Sequence, residues 1–187
     1  MANINIAVIV GSNRRESINR KFAHALAHLG KGKADFSFTE ISDLPMFNQD
    51  MESDLPASVQ RFKAAVAAAD GVLFVAPEHN RSIPALLKNA IDWGARPYGK
   101  NSWAGKPAAI TGTSQGAIGT AVAQQHLRQI IGNLGVLVMG GEAYINFKPD
   151  FLDEAGHIAN DDTKKFLQSF VDRFLALAAK LSLSGRP

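Results

Sequence analysis

Cysteine is absent from the 187 residues of this chain. Without thiols the chain can have neither disulfides nor thiolate metal sites, so any redox function must come from a bound cofactor. Long apolar runs are also missing, and the apolar stretch nearest the N-terminus, residues 6–10, stops at Gly11. A stretch this short indicates a strand and neither a signal peptide nor a transmembrane helix. We therefore expect a cytoplasmic protein that does not act at a membrane.

Neither sign of charge is in large excess, because 20 Lys and Arg against 17 Asp and Glu leave a net charge of only +3. Nucleic-acid binding needs a clustered basic face, which this scattered excess does not supply, so no nucleic-acid partner is expected. His24 and His28 have a spacing that would suit a metal, but no third ligand is evident and no metal site is predicted. With 46% hydrophobic residues, the length fits one domain, predicted over 1–183, with a disordered tail over 184–187.

Buried strands alternate with helices along the whole chain. Apolar runs without a polar face are typical of strands covered on both sides in a parallel sheet. The five predicted strands are residues 4–10, 35–41, 72–76, 107–111 and 136–139. Helical patterns between and after them predict an α/β fold, a doubly wound five-stranded parallel sheet with helices on both faces.

Three of these strands run into polar loops that contain glycine or proline, at residues 11–19, 77–82 and 112–119. In the flavodoxin-like strand order 2-1-3-4-5, the first, third and fourth strands are neighbours, and their carboxyl ends open into one cleft. Ser17 is a plausible N-cap, so loop 11–19 and the helix after it form a natural anion site. A flat ligand with a phosphate tail suits such a cleft, and FMN is the obvious candidate.

Four motifs then carry a specific resemblance: GSNRRESIN, LPMFNQD, PEHNRSIPALLKNAIDW and TGTSQGAIGT. Together they resemble the NADPH-dependent FMN reductase family of flavodoxin-like proteins, which includes quinone reductases and bacterial chromate reductases. The family usually has Pro-Glu-Tyr-Asn where this chain has His79 at the tyrosine position. The resemblance implies FMN as cofactor, NADPH or NADH as reductant, and a homodimer or homotetramer with the flavin site near an interface.

The resemblance also assigns a set of cofactor-binding residues. On the phosphate side they are Ser12, Arg14, Ser17, Ile18 and Asn19. Around the flavin ring they are Pro77, Glu78, His79, Asn80 and Ser82 on one side, and Thr113, Ser114, Gln115 and Gly116 on the other. No catalytic side chain is expected, because the flavin carries the chemistry and the protein supplies position and access.

The predicted acceptors are small molecules, namely quinones and chromate. An anion that approaches a bound flavin phosphate needs local cations, since electrostatic focusing raises the anion concentration in a cleft. Arg81 and Arg96 are the predicted substrate-binding residues. The helix before Arg96 should end away from the site, so Arg96 reaches the flavin only if residues 94–103 fold back or if a partner subunit presents it. We expect the partner subunit to do so, because the resemblance implies flavin sites near an interface.

Two other functions compete with this prediction. Residues 112–116 form a G-T-S-Q-G motif between a strand and a helix, which would suit a serine hydrolase with Ser114 as nucleophile. Asp150 or Asp153 and then His157 follow in the chain order of a catalytic triad, but this function leaves loops 11–19 and 77–82 without a role. The second competing function is that of a pure electron carrier of the flavodoxin kind. Such carriers tend to be acidic, so the slightly basic chain fits this function poorly.

Overall fold

The computed structural model describes residues 4–184 as six strands, five α-helices and one short 3-10 helix. In chain order they are β1 (Ile4–Val10), α1 (Ile18–Leu29), β2 (Ala34–Phe38), the 3-10 helix (Gln49–Met51), α2 (Ala57–Ala68), β3 (Gly71–Val75), α3 (Ala85–Ala95), β4 (Pro107–Ser114), α4 (Ala121–Asn133), β5 (Leu137–Val138), β6 (Tyr144–Asn146) and α5 (Asp161–Ser184).

All neighbouring strands of the sheet run parallel, in the order β2-β1-β3-β4-β5. The predicted flavodoxin-like order is thus confirmed. The sheet is nevertheless larger than predicted, because β6 pairs with the carboxyl end of β4 and lies beside the candidate site. None of the five predicted strands lies in this region, because the three residues of β6 give too short an alternation to indicate a strand.

Two apolar clusters cover the two faces of the sheet, which is the doubly wound arrangement expected. One cluster packs α1 and α5 against the sheet, and the other packs α2, α3 and α4 against the opposite face. Strands β1 and β3 contribute residues to both clusters, because alternate side chains point to opposite faces. On α5, Phe170 and Phe174 are buried against the sheet, whereas Phe166 is 46% exposed.

No helix within residues 4–184 combines the length and the apolar character needed to cross a bilayer. Helix α5 continues to Ser184, and the rest of the predicted disordered tail lies outside the described residues. The assignment of residues 1–183 to a single domain stays a prediction.

Candidate functional site

A crevice of about 600 Å³ opens at the carboxyl ends of β1, β3 and β4. Its walls come from the three loops that the sequence singled out, together with the start of α3. The lining residues are Gly11, Ser12, Asn13, Arg14, Ser17, Ile18, Asn19, Pro77, Glu78, His79, Pro84, Ala85, Leu86, Thr113, Ser114 and Gln115.

Eleven of the predicted site residues therefore meet in one place, and five do not line the crevice. These five are Asn80, Arg81, Ser82, Arg96 and Gly116. Sequence reasoning missed the contribution of α3, whose first residues Ala85 and Leu86 form part of the wall. The signal was present, because Pro84 directly precedes the helix and opens its first turn toward the strand end.

The N-terminus of α1 offers free backbone donors to this crevice. Ser17 is the N-cap, and its side-chain oxygen accepts a hydrogen bond from the Arg20 N–H at 3.2 Å. Within residues 4–184, the N–H groups of Ile18 and Asn19 have no acceptor. Two unpaired first-turn amides and the positive end of the helix dipole form an anion site.

Glu16 is the one acidic residue in the loop that leads into α1. Its carboxylate binds the Lys21 ammonium at 2.8 Å. The hydrogen bond and the charge of Lys21 lower the pKa of Glu16. The ion pair therefore neutralises a negative charge that would otherwise oppose an anion at this helix terminus.

Asn19 connects two walls of the crevice through hydrogen bonds within the protein. Its amide donates to the Thr113 carbonyl at 2.9 Å and accepts from the Thr113 N–H at 2.9 Å. The side chain of Asn19 is only 2% exposed. Because both side-chain atoms are engaged, Asn19 positions loop 11–19 against the end of β4, and only its backbone N–H remains for a ligand.

The third wall, after β4, is supported by β6. The Thr111 hydroxyl donates to the carbonyl of Ala143, which directly precedes β6, and the Thr113 hydroxyl donates to the carbonyl of Ile145 within β6. Asn146 donates to the carbonyls of Gln115 and Gly116 at 3.2 and 2.9 Å. Asn146 of β6 thus fixes loop 114–116, of which Ser114 and Gln115 line the crevice.

The loop after β3 ends in a tight hairpin turn. His79 and Ser82 exchange two backbone hydrogen bonds of 2.9 Å, and the two residues between them, Asn80 and Arg81, have φ values of 50° and 64°. Positive φ at both central positions is the requirement of a type I′ turn. Asparagine tolerates that conformation, whereas arginine adopts it at a cost of about 1 kcal/mol or more. The turn presents the exposed His79 ring at the crevice wall.

Glu78 fastens this loop to the N-terminus of α4. One carboxylate oxygen accepts hydrogen bonds from the N–H groups of Val122 and Ala123, both at 3.1 Å. The other accepts from Arg81 at 2.9 Å, and the side chain of Glu78 is only 9% exposed. Helix α4 has no acidic residue in its own first turn, so Glu78 supplies the anion that this helix terminus favours.

Arg96 lies at the far end of α3 and binds elsewhere in the same chain. Its Nε donates to Glu52 at 2.6 Å, and the side chain of Glu52 is 14% exposed. The loop that carries Glu52 is held by α3, because Asn89 accepts from the Phe47 N–H and Trp93 donates to the Pro45 carbonyl, both at 2.7 Å. The LPMFNQD and LKNAIDW motifs therefore meet in one structural contact.

Ser114 has none of the surroundings of a hydrolase nucleophile. Its hydroxyl donates to the Gly119 carbonyl at 2.6 Å and accepts from the Gly116 N–H at 3.2 Å. The only side-chain partners of His157 in the described part of the chain are Asp153, at 3.8 Å, and the stacked ring of His28. Since no histidine is bonded to the Ser114 hydroxyl, the hydrolase alternative gains no support.

Comparison with known proteins agrees with this geometry. The model of the NADPH-dependent FMN reductase family matches residues 4–150. The chain belongs to that family. It is an NAD(P)H-dependent flavoenzyme whose cofactor is FMN.

Two relatives and one solved structure are close in sequence. A 2-hydroxy-1,4-benzoquinone reductase from a Burkholderia species is 49% identical over 174 residues, which cover 92% of this chain and 95% of that protein. A quinone reductase from Pseudomonas putida is 47% identical over 171 residues, 90% of this chain and 91% of that protein. The structure of FerB, a flavoenzyme NAD(P)H:(acceptor) oxidoreductase from Paracoccus denitrificans, has a TM-score of 0.92 at 44% identity, and the match covers 95% and 98% of the two chains.

Proposed function

We propose that this reductase passes electrons from NADPH or NADH through FMN to quinones. The observation that carries the proposal is the crevice itself, in which free amides of α1 lie together with the loops that follow β3 and β4. When bound, FMN supplies reversible two-electron chemistry. The chain supplies position, orientation and limited access of water.

The residues of the crevice fit the two ends of FMN. The phosphate would bind at the α1 N-terminus, to the amides of Ile18 and Asn19, with Ser12 and Arg14 as further donors. Loop 77–80, loop 113–116 and the first residues of α3, Ala85 and Leu86, would hold the flavin ring. Glu78 and Asn19 then act as positioning residues, because their own side-chain oxygens are already bonded within the protein.

Benzoquinones that carry a hydroxyl group are the acceptor class we propose first. The relative named a 2-hydroxy-1,4-benzoquinone reductase is 49% identical to this chain and aligns over nearly its whole length. A hydroxylated quinone is a vinylogous acid that is ionised at neutral pH, so cations at the crevice mouth would attract it. Arg14 lines the crevice and is exposed, and Arg81 is exposed on the turn that follows His79, while the carboxylate of Glu78 also accepts hydrogen bonds from two amides of α4.

The first test of the proposal is cofactor selection. Replacing both Ser12 and Arg14 by alanine should weaken FMN binding by about tenfold to a hundredfold, because a charge-assisted and a neutral hydrogen bond to the phosphate are lost. Riboflavin, which lacks the phosphate, should bind the parent and the variant nearly equally. Dissociation constants from flavin-fluorescence titration of apoprotein measure both effects.

Arg15→Ala is the matched control for this test. Arg15 neighbours Arg14 and is exposed, but it does not line the crevice, so FMN affinity should change by less than about threefold. An equal loss of FMN and riboflavin affinity in the double variant would place the phosphate elsewhere.

Chromate is the second acceptor that we propose. Arg81→Gly tests whether the charge of Arg81 attracts this anion, without disturbing the conformation of the turn. Glycine accepts positive φ without strain, so this change removes the charge and keeps the turn. The KM for chromate should rise about threefold to tenfold, and the parent's chromate rate should fall with added salt. The KM for neutral 1,4-benzoquinone, measured by steady-state kinetics, should stay unchanged.

Arg96→Ala tests whether a partner subunit contributes Arg96 to the site. Arg96 is committed to Glu52 within its own chain, so it would act on chromate only from a partner subunit in the proposed homodimer or homotetramer. A chromate-specific rise in KM would support that role. An equal rise in KM for chromate and for 1,4-benzoquinone would mean that Arg96 holds the loop carrying Glu52. An equal rise in both KM values in Arg81→Gly would contradict the hypothesis that Arg81 attracts anionic acceptors.

A further inference from the structure

The crevice contains only three titratable side chains among its described lining residues, and they are not equivalent. Arg14 is one of them, and arginine is charged throughout the physiological range. The carboxylate of Glu78 is occupied by Arg81 and by two amides of α4 and is almost closed to solvent. His79 is the remaining group, and histidine is the side chain that ordinarily changes charge between pH 5 and 8.

The position of His79 is set by its backbone. The paired hydrogen bonds between His79 and Ser82 fix the turn on which it lies. The residue lines the crevice and is exposed, and its ring has no hydrogen-bond partner among the described residues. The ring nitrogens are therefore available to a ligand and can exchange protons with bulk water.

Quinone reduction creates a need for such a group. A hydride that adds to a quinone leaves a hydroquinone monoanion, whose oxygen must gain one proton before a neutral hydroquinone can leave. The hydride and its two electrons come from the reduced nicotinamide by way of FMN. The bound flavin phosphate is also anionic, so a second negative charge in the crevice is unfavourable until it is protonated.

We propose that His79 is the residue that protonates the quinone oxygen. As the O–H bond of the hydroquinone forms, an N–H bond of the imidazolium breaks, and the neutral imidazole regains its proton from water. The inference rests on the proposed quinone reductase function and adds to it a catalytic side chain at the position where the family usually has tyrosine. A phenol gives up its proton far less readily at neutral pH, so this chain should work best at lower pH than a relative with tyrosine there.

Four charged or titratable groups surround this histidine. Glu78 and Arg81 lie on its own turn and neutralise one another. Arg14 lies on loop 11–19 of the crevice, and His126 of α4 contacts the turn, with Nδ1 3.2 Å from the Ser82 hydroxyl oxygen. Since His126 does not line the crevice, a pH effect at the quinone should follow His79.

Single-turnover kinetics of the FMN-loaded enzyme test the proposal. Reoxidation of the reduced enzyme by neutral 1,4-benzoquinone should slow by about tenfold or more between pH 5.5 and 8.5, because general acid catalysis is lost as the imidazolium deprotonates. His79→Gln should show the slow rate at every pH. The half-reaction with NADPH should keep the pH dependence of the parent in this variant, since that half-reaction leaves no oxyanion on a quinone.

A second readout needs no turnover. Oxidised enzyme without nicotinamide can bind 2-hydroxy-1,4-benzoquinone as a dead-end complex, and no cysteine is present to react with it. An anion beside His79 should draw a proton onto the imidazole, seen as proton uptake by calorimetry in two buffers of different ionisation enthalpy. His79→Gln should abolish this uptake, whereas His157→Gln, outside the crevice, should retain it.

The outcomes distinguish the proposed role of His79 from the proposed quinone reductase function. If His79→Gln keeps the parent's pH profile and proton uptake, His79 is not the donor, and quinone reduction by both proteins would leave the proposed function standing. If NADPH reduces both proteins and no quinone reoxidises either one, the proposed quinone reductase function fails instead. Parental behaviour in His126→Gln would support the assignment, and loss of the pH dependence in that variant would overturn it.

Discussion

Gly112→Ala should abolish FMN binding and lower the free energy of unfolding by about 3 kcal/mol. A methyl carbon added at Gly112 would lie 2.0 Å from the Ala76 carbonyl oxygen and 2.5 Å from the Thr120 hydroxyl oxygen. The carbonyl belongs to the backbone at the end of β3, so it cannot rotate away. Relief of the clash requires β3 and β4 to separate at their carboxyl ends, where they support two walls of the crevice.

Gly116→Ala is the matched control for stability, because it changes the other glycine of the G-T-S-Q-G segment. Its added carbon would have only the Ser114 hydroxyl oxygen nearby, at 3.6 Å, which is an ordinary contact. Urea unfolding of apoprotein should therefore differ from the parent by less than about 0.5 kcal/mol. Parental stability and FMN affinity in Gly112→Ala would show that the two strand ends tolerate separation.

Asn19→Ala should weaken FMN and riboflavin to the same extent and destabilise the apoprotein by about 3 kcal/mol. Truncation leaves the N–H and the carbonyl of Thr113 without their partners in a buried position, and neither can reach water without a local rearrangement. Because the lost bonds join loop 11–19 to β4, the change should loosen the whole crevice and should not act on the phosphate alone. The ratio of the two flavin dissociation constants is the decisive measurement.

Asn13→Ala provides the comparison in the same loop. Asn13 lines the crevice but is exposed, so its replacement should leave the free energy of unfolding within about 0.5 kcal/mol of the parent. A selective loss of FMN over riboflavin in Asn19→Ala would instead mean that this side chain turns from Thr113 to the phosphate when the cofactor binds.

Sequence reasoning was most accurate where the signal is local. Burial on both faces makes β1, β3 and β4 continuous apolar runs, and Ser17 is the N-cap that its position before an apolar helical pattern predicted. The order of the sheet then follows from chain connectivity and from the general rules for parallel strands. These features depend on residues within a few positions of one another, which is why one sequence was enough.

The bonding of individual polar side chains was not accessible in this way. Asn19 binds Thr113, 94 residues away, and Glu78 binds α4 amides 44 and 45 residues away. Both were predicted as cofactor-binding residues, and both line the crevice, but their side-chain oxygens are used to join its walls. Residue type and spacing place a polar side chain at a strand end without indicating which distant group it meets.

The sequence by itself determined the α/β architecture, the three loops that meet at one edge of the sheet, and the family. Those properties are set by apolar periodicity, turn residues and extended motifs, all of which are written along the chain. Only the tertiary structure decided that β6 supports the end of β4, that Arg96 is bound by Glu52, and that His79 lies in the crevice with its ring unpaired among the described residues. Each of these depends on which surfaces come into contact after the helices pack on the sheet, because hydrogen bonds and ion pairs form between groups brought together from distant parts of the sequence.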